Sequence, residues 1–403
     1  MPERTSASAC CSSASSYCSS PAPSSSHSST SPSTSAPPGI FLARPAEPLA
    51  GIRLAVKDLF DTAGLTTTYG SAIFRDHVPG RTAEAVLRLE AAGYVNAGKT
   101  NLHEFAYGIT SVNPHFGTVP NPVAPGRMAG GSSGGSAAAL AAGLADAALG
   151  SDSGGSIRIP AACCGVVGFK PTHGLVPLDG CFPLAPSFDH AGPMATSVRG
   201  CTAMMEALVP ELRPLQIEAL DEIAVAIAWL DLCEPLVRER VAAAAAHFPR
   251  RRTLELPLPE GIGAVFMREA AGVHRELFAA HADRYGENVR TKIERCLAVT
   301  DDEYEAGLRA RERYRARLAE AVEEDLLVTP TLAFVAPPLP VDDLVVRDAV
   351  IRFTYPINIL GWPALALPCG PAEGGLPASV QLVGRPGDDA LVLAVGEALE
   401  VAL

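Results

Sequence analysis

Hydrophobic and polar positions alternate between two periods along most of the chain. Ile52, Leu54 and Val56 recur at every second position, as in a strand, and residues 83–92 repeat at helical spacing with Gly93 as their stop. Residues 94–97 read as the next strand. Further on, the pattern predicts a small-residue helix over 136–149, a long Arg- and Glu-laced helix over 302–324, a buried strand over 326–329 and a final helix over 389–402. Two apolar runs between Ala364 and Val383 flank a Gly/Pro-rich turn at 370–377, the pattern of a hairpin. This order of elements predicts an α/β fold with a mixed β-sheet. Between 210 and 324, helical patterns with charged faces dominate, and most of those charges read as a solvated surface. Residues 1–38 stand apart. From Thr5 onward they are mostly Ser with Pro, Ala and Thr and offer almost no large apolar side chain, so a disordered tail or a misplaced start is expected there. That segment lacks the repeated Arg of a transit peptide and the apolar core of a secretion signal.

Of the 403 residues, 48% are hydrophobic, enough for a sizeable core, and the net charge is −12. An acidic surplus of that size argues against direct binding of nucleic acid or of an anionic membrane. No run of about 18 strongly apolar residues occurs, and the Ala/Gly-rich stretch 137–150 is interrupted by Asp146, so no membrane span is expected and a cytoplasmic location is. Ten cysteines fall below disulfide-scaffold density and none sits in a C-x2-C pair, which predicts reduced thiols, with Cys163, Cys164 and Cys369 buried. The nine histidines are scattered and no HExxH occurs, so no metal site is expected.

Two glycine-serine loops, Gly130 to Ser136 and Ser151 to Arg158, carry the candidate chemistry. Such loops can turn several N–H groups toward one point. Each is followed almost at once by apolar sequence, which fits a flexible linker poorly. A serine nucleophile needs a base, and no G-x-S-x-G elbow is present. A lysine kept neutral can serve instead. Only four lysines occur, at 57, 99, 170 and 292, the other basic residues all being arginine, whose guanidinium cannot accept a proton. Lys57 ends an apolar strand pattern, where either a base or a plain strand-end charge fits; Lys292, in a charged helix, is expected at the surface. Gly93 to Thr100 matches G-x-x-x-x-G-K-T. Its context is wrong for phosphate: a helix precedes Gly93, and the apolar residues fall inside the supposed loop.

Together these residues resemble the amidase signature family. The resemblance rests on Ala55-Val56-Lys57-Asp58, Gly98-Lys99-Thr100-Asn101, the Gly130 to Ser136 loop, Gly150 to Arg158, and Gly168-Phe169-Lys170-Pro171-Thr172, five motifs in the family's order. It runs from about residue 49 to 197 and resumes in the C-terminal third. It implies a mixed sheet covered by helices on both faces, formed by residues 39–403. It further implies Ser156 as nucleophile, Ser132 as a bridging serine in a cis peptide, and Lys57 as base. Backbone N–H groups of Ser153, Gly154, Gly155 and Ser156 would form the oxyanion hole, with Asp152, Arg158 and Ser133 in support. Asp189, His190 and Arg199 read as structural. The activity implied is hydrolysis of a small carboxamide through an acyl-enzyme, with no cofactor and with a homodimer allowed.

The chain departs from the family in three places. A Ser-rich segment stands where members carry N-terminal helices, Ser153 replaces a common threonine, and the variable middle segment is short. One alternative is the amidase subunit of a glutamyl-tRNA amidotransferase, against which His103-Glu104-Phe105-Ala106 and Leu175-Val176-Pro177-Leu178 look more like general amidases. An inactive scaffold is the other.

Overall fold

The architecture follows from where the buried strands pair. The computed structural model describes residues 38–46, 50–217 and 219–403, so the tail expected over 1–38 lies, but for its last residue, outside them. The strands among these residues are β1 Phe41–Ala43, β2 Ile52–Lys57, β3 Tyr94–Thr100, β4 Val112–Asn113, β5 Gly117–Thr118, β6 Ala147–Ser151 and β7 Val167–Lys170. They continue with β8 Ala191–Ala195, β9 Ala224–Ile227, β10 Arg250–Thr253, β11 Leu326–Pro330, β12 Ala364–Pro371 and β13 Pro377–Val383. β4 and β5 make a small ribbon, and the rest form one sheet in the order β1-β3-β2-β6-β8-β7-β12-β13-β11-β9-β10. Within it β3, β2 and β6 run parallel, as do β11, β9 and β10, and the other pairings are antiparallel. The sheet is therefore mixed.

Alternation along β2 shows why helices cover both faces. Leu54 and Val56 enter one core with Val86, Leu89, Met204 and Leu365, while Ala55 enters another with Ala137–Leu140, Ile157 and Ala161. The second core is built largely of alanine. Small side chains there let the helix Gly134–Ala141 lie close to the sheet and carry the loop before it over the ends of β2 and β6.

The helices Glu84–Ala91, Asp301–Ala321 and Asp389–Ala402 and the hairpin β12–β13 stand where periodicity puts them. The small-residue segment does not. Its helix ends at Ala141, Gly143 takes a left-handed φ of +66, and residues 147–151 form β6. Asp146 fixes the switch by accepting hydrogen bonds from Arg53 N at 2.9 Å and from its guanidinium at 2.6 Å, which anchors the start of β6 beside β2. In the segment 210–324, strands β9 and β10 interrupt the helices. β10 holds Arg250, Arg251 and Arg252 on the outer edge of the sheet, where charged side chains are expected to blunt an open strand.

Two lysines lie where charge alone would not put them. Lys292 is buried rather than at the surface: it pairs with Asp343 and donates to Tyr107 O at 2.8 Å and Asn288 Oδ1 at 2.7 Å. Lys99 is drawn into β3, which extends to Thr100, and pairs with Asp58 at 3.0 Å while donating to Phe60 O and Thr67 Oγ1. Gly93 is thus the turn before a strand that fills Tyr94–Thr100, not the start of a phosphate loop. Among the described residues no helix is long and apolar enough to cross a membrane.

Candidate active site

Because β2 and β6 are parallel neighbours, their C-terminal ends emerge at the same edge, which is where open α/β sheets place ligands. Lys57 is the last residue of β2 and Ser151 the last of β6. The Gly130–Ser133 loop crosses this edge before entering the helix Gly134–Ala141. Its Gly131–Ser132 peptide is cis. Only glycine fits at 131, since a Cβ there would come 2.6 Å from Ser111 Oγ and 2.9 Å from Ser111 N. The Ser111 hydroxyl holds the loop, donating to Ser132 O at 3.3 Å and accepting from Gly134 N at 3.2 Å.

The Lys57 side chain is fully buried. Its Nζ lies 2.6 Å from Ser132 Oγ, 2.9 Å from Ser133 Oγ and 2.8 Å from Ser151 Oγ. Burial lowers the amine to about 7, and the Asp152 and Asp189 carboxylates offset that only in part. Near neutral pH a large share of the amine is therefore unprotonated, with two N–H donors and one lone pair. Ser133 Oγ already donates to Ser151 O at 3.1 Å, which leaves it as an acceptor for the amine. Ser151 is the contact that sequence reasoning missed.

The second loop is held by one buried carboxylate. Asp152 accepts from Gly155 N at 2.8 Å, Ile157 N at 3.1 Å, Arg158 Nη2 at 2.9 Å and Asn358 Nδ2 at 2.8 Å. Burial works to raise this carboxyl, but the Arg158 guanidinium outweighs it and holds the group well below the usual carboxylate range. Arg158 reaches on to Gln381 in β13 and to Asn358, so the loop is braced against the far half of the sheet. Breaking a buried pair strands the other charge, at a cost of about 3 to 5 kcal/mol. Arg158→Met is expected to lose stability of that order in urea unfolding; a loss under about 1 kcal/mol would show that the brace is dispensable.

Ser156 is buried to within 5% of full exclusion, and its carbonyl accepts from Ser133 N at 3.1 Å, which stitches the two loops together. Gly155, at φ +129, leaves room for Thr354, whose Oγ1 a Cβ would meet at 2.2 Å. Of the four N–H groups expected to face an oxyanion, that of Gly155 is withdrawn, because it is turned inward to cap Asp152. Those of Ser153, Gly154 and Ser156 have no acceptor among the described residues. Ser153 Oγ donates to Asp189 Oδ1 at 2.5 Å, and Asp189 also accepts from Leu184 N and Ala185 N. His190 Nδ1 sits 2.7 Å from Phe188 O, and Arg199 is exposed in the first turn of the helix Val198–Leu208. Cys163, Cys164 and Cys369 are free, buried thiols.

A cavity of about 260 Å³ opens beside Ser151 and Ser153, lined mainly by Leu59, Leu178, Phe182 and Leu184, with the Cys181 thiol in its wall. Burial pushes that thiol up, so it stays protonated. No group of three His, Cys, Asp or Glu side chains that could hold a metal occurs among the described residues. A buried amine that can shed its proton near neutrality, serine hydroxyls against it and unpaired N–H groups nearby are together equipped for acyl transfer without histidine.

Comparison with known proteins agrees with this chemistry. The family model Amidase matches residues 39–215 and 212–393, and the chain belongs to that family. It is an amidohydrolase. A glutamyl-tRNA(Gln) amidotransferase subunit of Haloarcula marismortui is 36% identical over 87% of this chain and 95% of its own length. AtzE, the 1-carboxybiuret hydrolase subunit of a Pseudomonas species, is 35% identical over 88% of this chain and 84% of its own. A solved structure described as an amidase superposes with a TM-score of 0.79 at 39% identity, covering 87% of this chain and 84% of the other.

Proposed function

We propose that this chain hydrolyses a small carboxamide with Ser156 as nucleophile, Ser132 as proton relay and Lys57 as base. The observation that carries this reading is the contact between the depressed Lys57 amine and Ser132 Oγ at 2.6 Å. With its two N–H bonds directed to Ser133 and Ser151, the amine turns its lone pair to Ser132. Lys57 takes the Ser132 proton; the Ser156 hydroxyl, uncommitted among the described residues, turns to Ser132 and passes it its own proton, and the Ser156 oxygen attacks the amide carbon while the carbonyl electrons move onto oxygen. The N–H groups of Ser153, Gly154 and Ser156 stabilise that oxyanion. Collapse expels the amine or ammonia, which receives the proton back from Lys57 through Ser132 and leaves an ester on Ser156. Water then attacks the ester by the reverse relay and frees the acid.

The test is ammonia release from a neutral aliphatic carboxamide such as butyramide, followed from about pH 5 to about pH 9. Since the unprotonated amine is the active form, kcat/KM is expected to rise tenfold per pH unit below about 7 and to level off above it. A flat profile, or no release from any amide, overturns the reading.

A second reading, the amidase subunit of a glutamyl-tRNA amidotransferase, is favoured by the likeness to the Haloarcula marismortui protein. The same assay separates the two. A free-standing amidase turns over alone, whereas turnover that appears only when partner proteins are added favours the second.

A further inference from the structure

The end of β6 and the loop after it place a carboxylate on the same face as the Lys57 amine. β6 and β8 pair Ser151 with Ala191, and Asp152 and His190 exchange backbone hydrogen bonds of 2.8 and 3.1 Å, which carries that register one pair further and sets Ser153 opposite Asp189. Ser151 and Ser153, two positions apart, share a face. Both line the apolar cavity, as does Asp189. On this face the Ser151 hydroxyl touches Lys57 Nζ at 2.8 Å, and the Ser153 hydroxyl donates to Asp189 Oδ1 at 2.5 Å. Amine and carboxylate therefore stand about one strand repeat of two residues apart, roughly 7 Å.

Nothing nearby cancels the charge of Asp189. Asp152 is paired with Arg158 at 2.9 Å and Asp58 with Lys99 at 3.0 Å, and the Cys181 thiol stays protonated. Asp189 is buried and has no ion-pair partner among the described residues. Its two oxygens face donors, Leu184 N at 2.9 Å, Ala185 N at 3.1 Å and the Ser153 hydroxyl, which bond the carboxylate and offer no acceptor to an acid proton. Burial raises this carboxyl, and the same three donors work against it. Glu269, the other carboxylate that faces it, accepts from Ser187 N at 2.8 Å, and the Arg311 guanidinium donates to the hydroxyl of that serine at 2.6 Å. A buried charge without a cation is costly to keep. A neutral residue would avoid that cost, so the charge calls for a use.

The relay supplies one. When Ser132 passes its proton to Lys57, the amine becomes an ammonium in a place where burial disfavours charge. We propose that Asp189 is a positioning residue of the hydrolysis, the fixed counter-charge to the ammonium that forms on Lys57 in each acyl transfer, held in place by the Ser153 hydroxyl. It takes no proton itself, and the ammonium returns its own to the departing amine through Ser132. The proposal rests on the reading of Lys57 as base, and it gives a role to a carboxylate that reads from the sequence as structural.

The experiment is the pH profile of butyramide hydrolysis by the native chain, D189N, D189S and D189E. Removing the charge makes the ammonium harder to form, so in D189N and D189S the midpoint of kcat/KM is expected to fall from about 7 by about one pH unit, and the plateau by about tenfold. D189E keeps the charge, and its midpoint is expected to stay near that of the native chain. A merely structural carboxylate gives the opposite shift, because loosening the loops admits water to the amine and raises the midpoint toward that of a free lysine. An unmoved or raised midpoint in the neutral variants, a plateau that does not drop, or a D189E midpoint that falls with theirs overturns the proposal. So does loss of the fold in both neutral variants by circular dichroism, since the carboxylate would then serve the fold. If the native chain releases no ammonia, the amidase reading fails and the counter-charge with it. A native midpoint near 7 that the neutral variants leave in place rejects the counter-charge alone.

Discussion

Ser156→Ala is expected to lower amide turnover by about 10⁴-fold or more while the fold is retained. The hydroxyl forms the bond to the acyl carbon, so no neighbouring group can substitute for it in that step, and the remaining relay can at best activate water. Residual activity would come only from binding and oxyanion stabilisation. Stability is expected to change by less than about 0.5 kcal/mol, because the Ser156 hydroxyl enters no hydrogen bond among the described residues, while the carbonyl that ties the two loops together is kept. Intact-protein mass after a fluorophosphonate gives the second readout: the native chain gains one adduct and the variant none. Turnover within tenfold of the native rate, or labelling that persists in the variant, would move the nucleophile elsewhere.

Much of the site was legible because its chemistry depends on rare residues. In a chain with four lysines, one at the end of an apolar strand invites a specific reason, and Lys57 proves fully buried against serine hydroxyls. Ser151 escaped notice for a different reason. Its place at the site depends on residues 147–151 forming a strand beside β2, yet a run of Ala, Gly and Leu buried on both faces carries neither a period of two nor one of 3.6. The clue lay in Gly143 and Asp146, a helix stop followed by a charge that binds Arg53, ninety-three positions earlier. Lys292 and Asp343 make the same point from the other side. Each looks solvated within its own segment, and only a partner 51 residues away makes burial tolerable. Strands β9 and β10 were hidden likewise, the first by its shortness and the second by three arginines on an edge.

Lys57→Arg is expected to be nearly as damaging as loss of the nucleophile, with kcat/KM falling by about 10³-fold or more. The charge is kept but the basicity is lost, since a guanidinium has no lone pair to offer Ser132 at any working pH. The larger group must also fit among Ser132, Ser133 and Ser151, whose oxygens all lie within 2.9 Å of the present amine. A lysine that merely filled space would instead tolerate replacement by methionine, so the two variants together separate the roles: both lose turnover if the amine is the base. The depressed amine has a thermodynamic signature as well. Between pH 10.5 and about 7 the unfolded chain binds a proton at this residue that the folded chain does not, so its contribution makes stability rise with pH across that window. Urea unfolding at several pH values is expected to show this slope in the native chain and its reduction in Lys57→Met. An unchanged slope, or near-native rates in Lys57→Arg, would remove the amine from the mechanism.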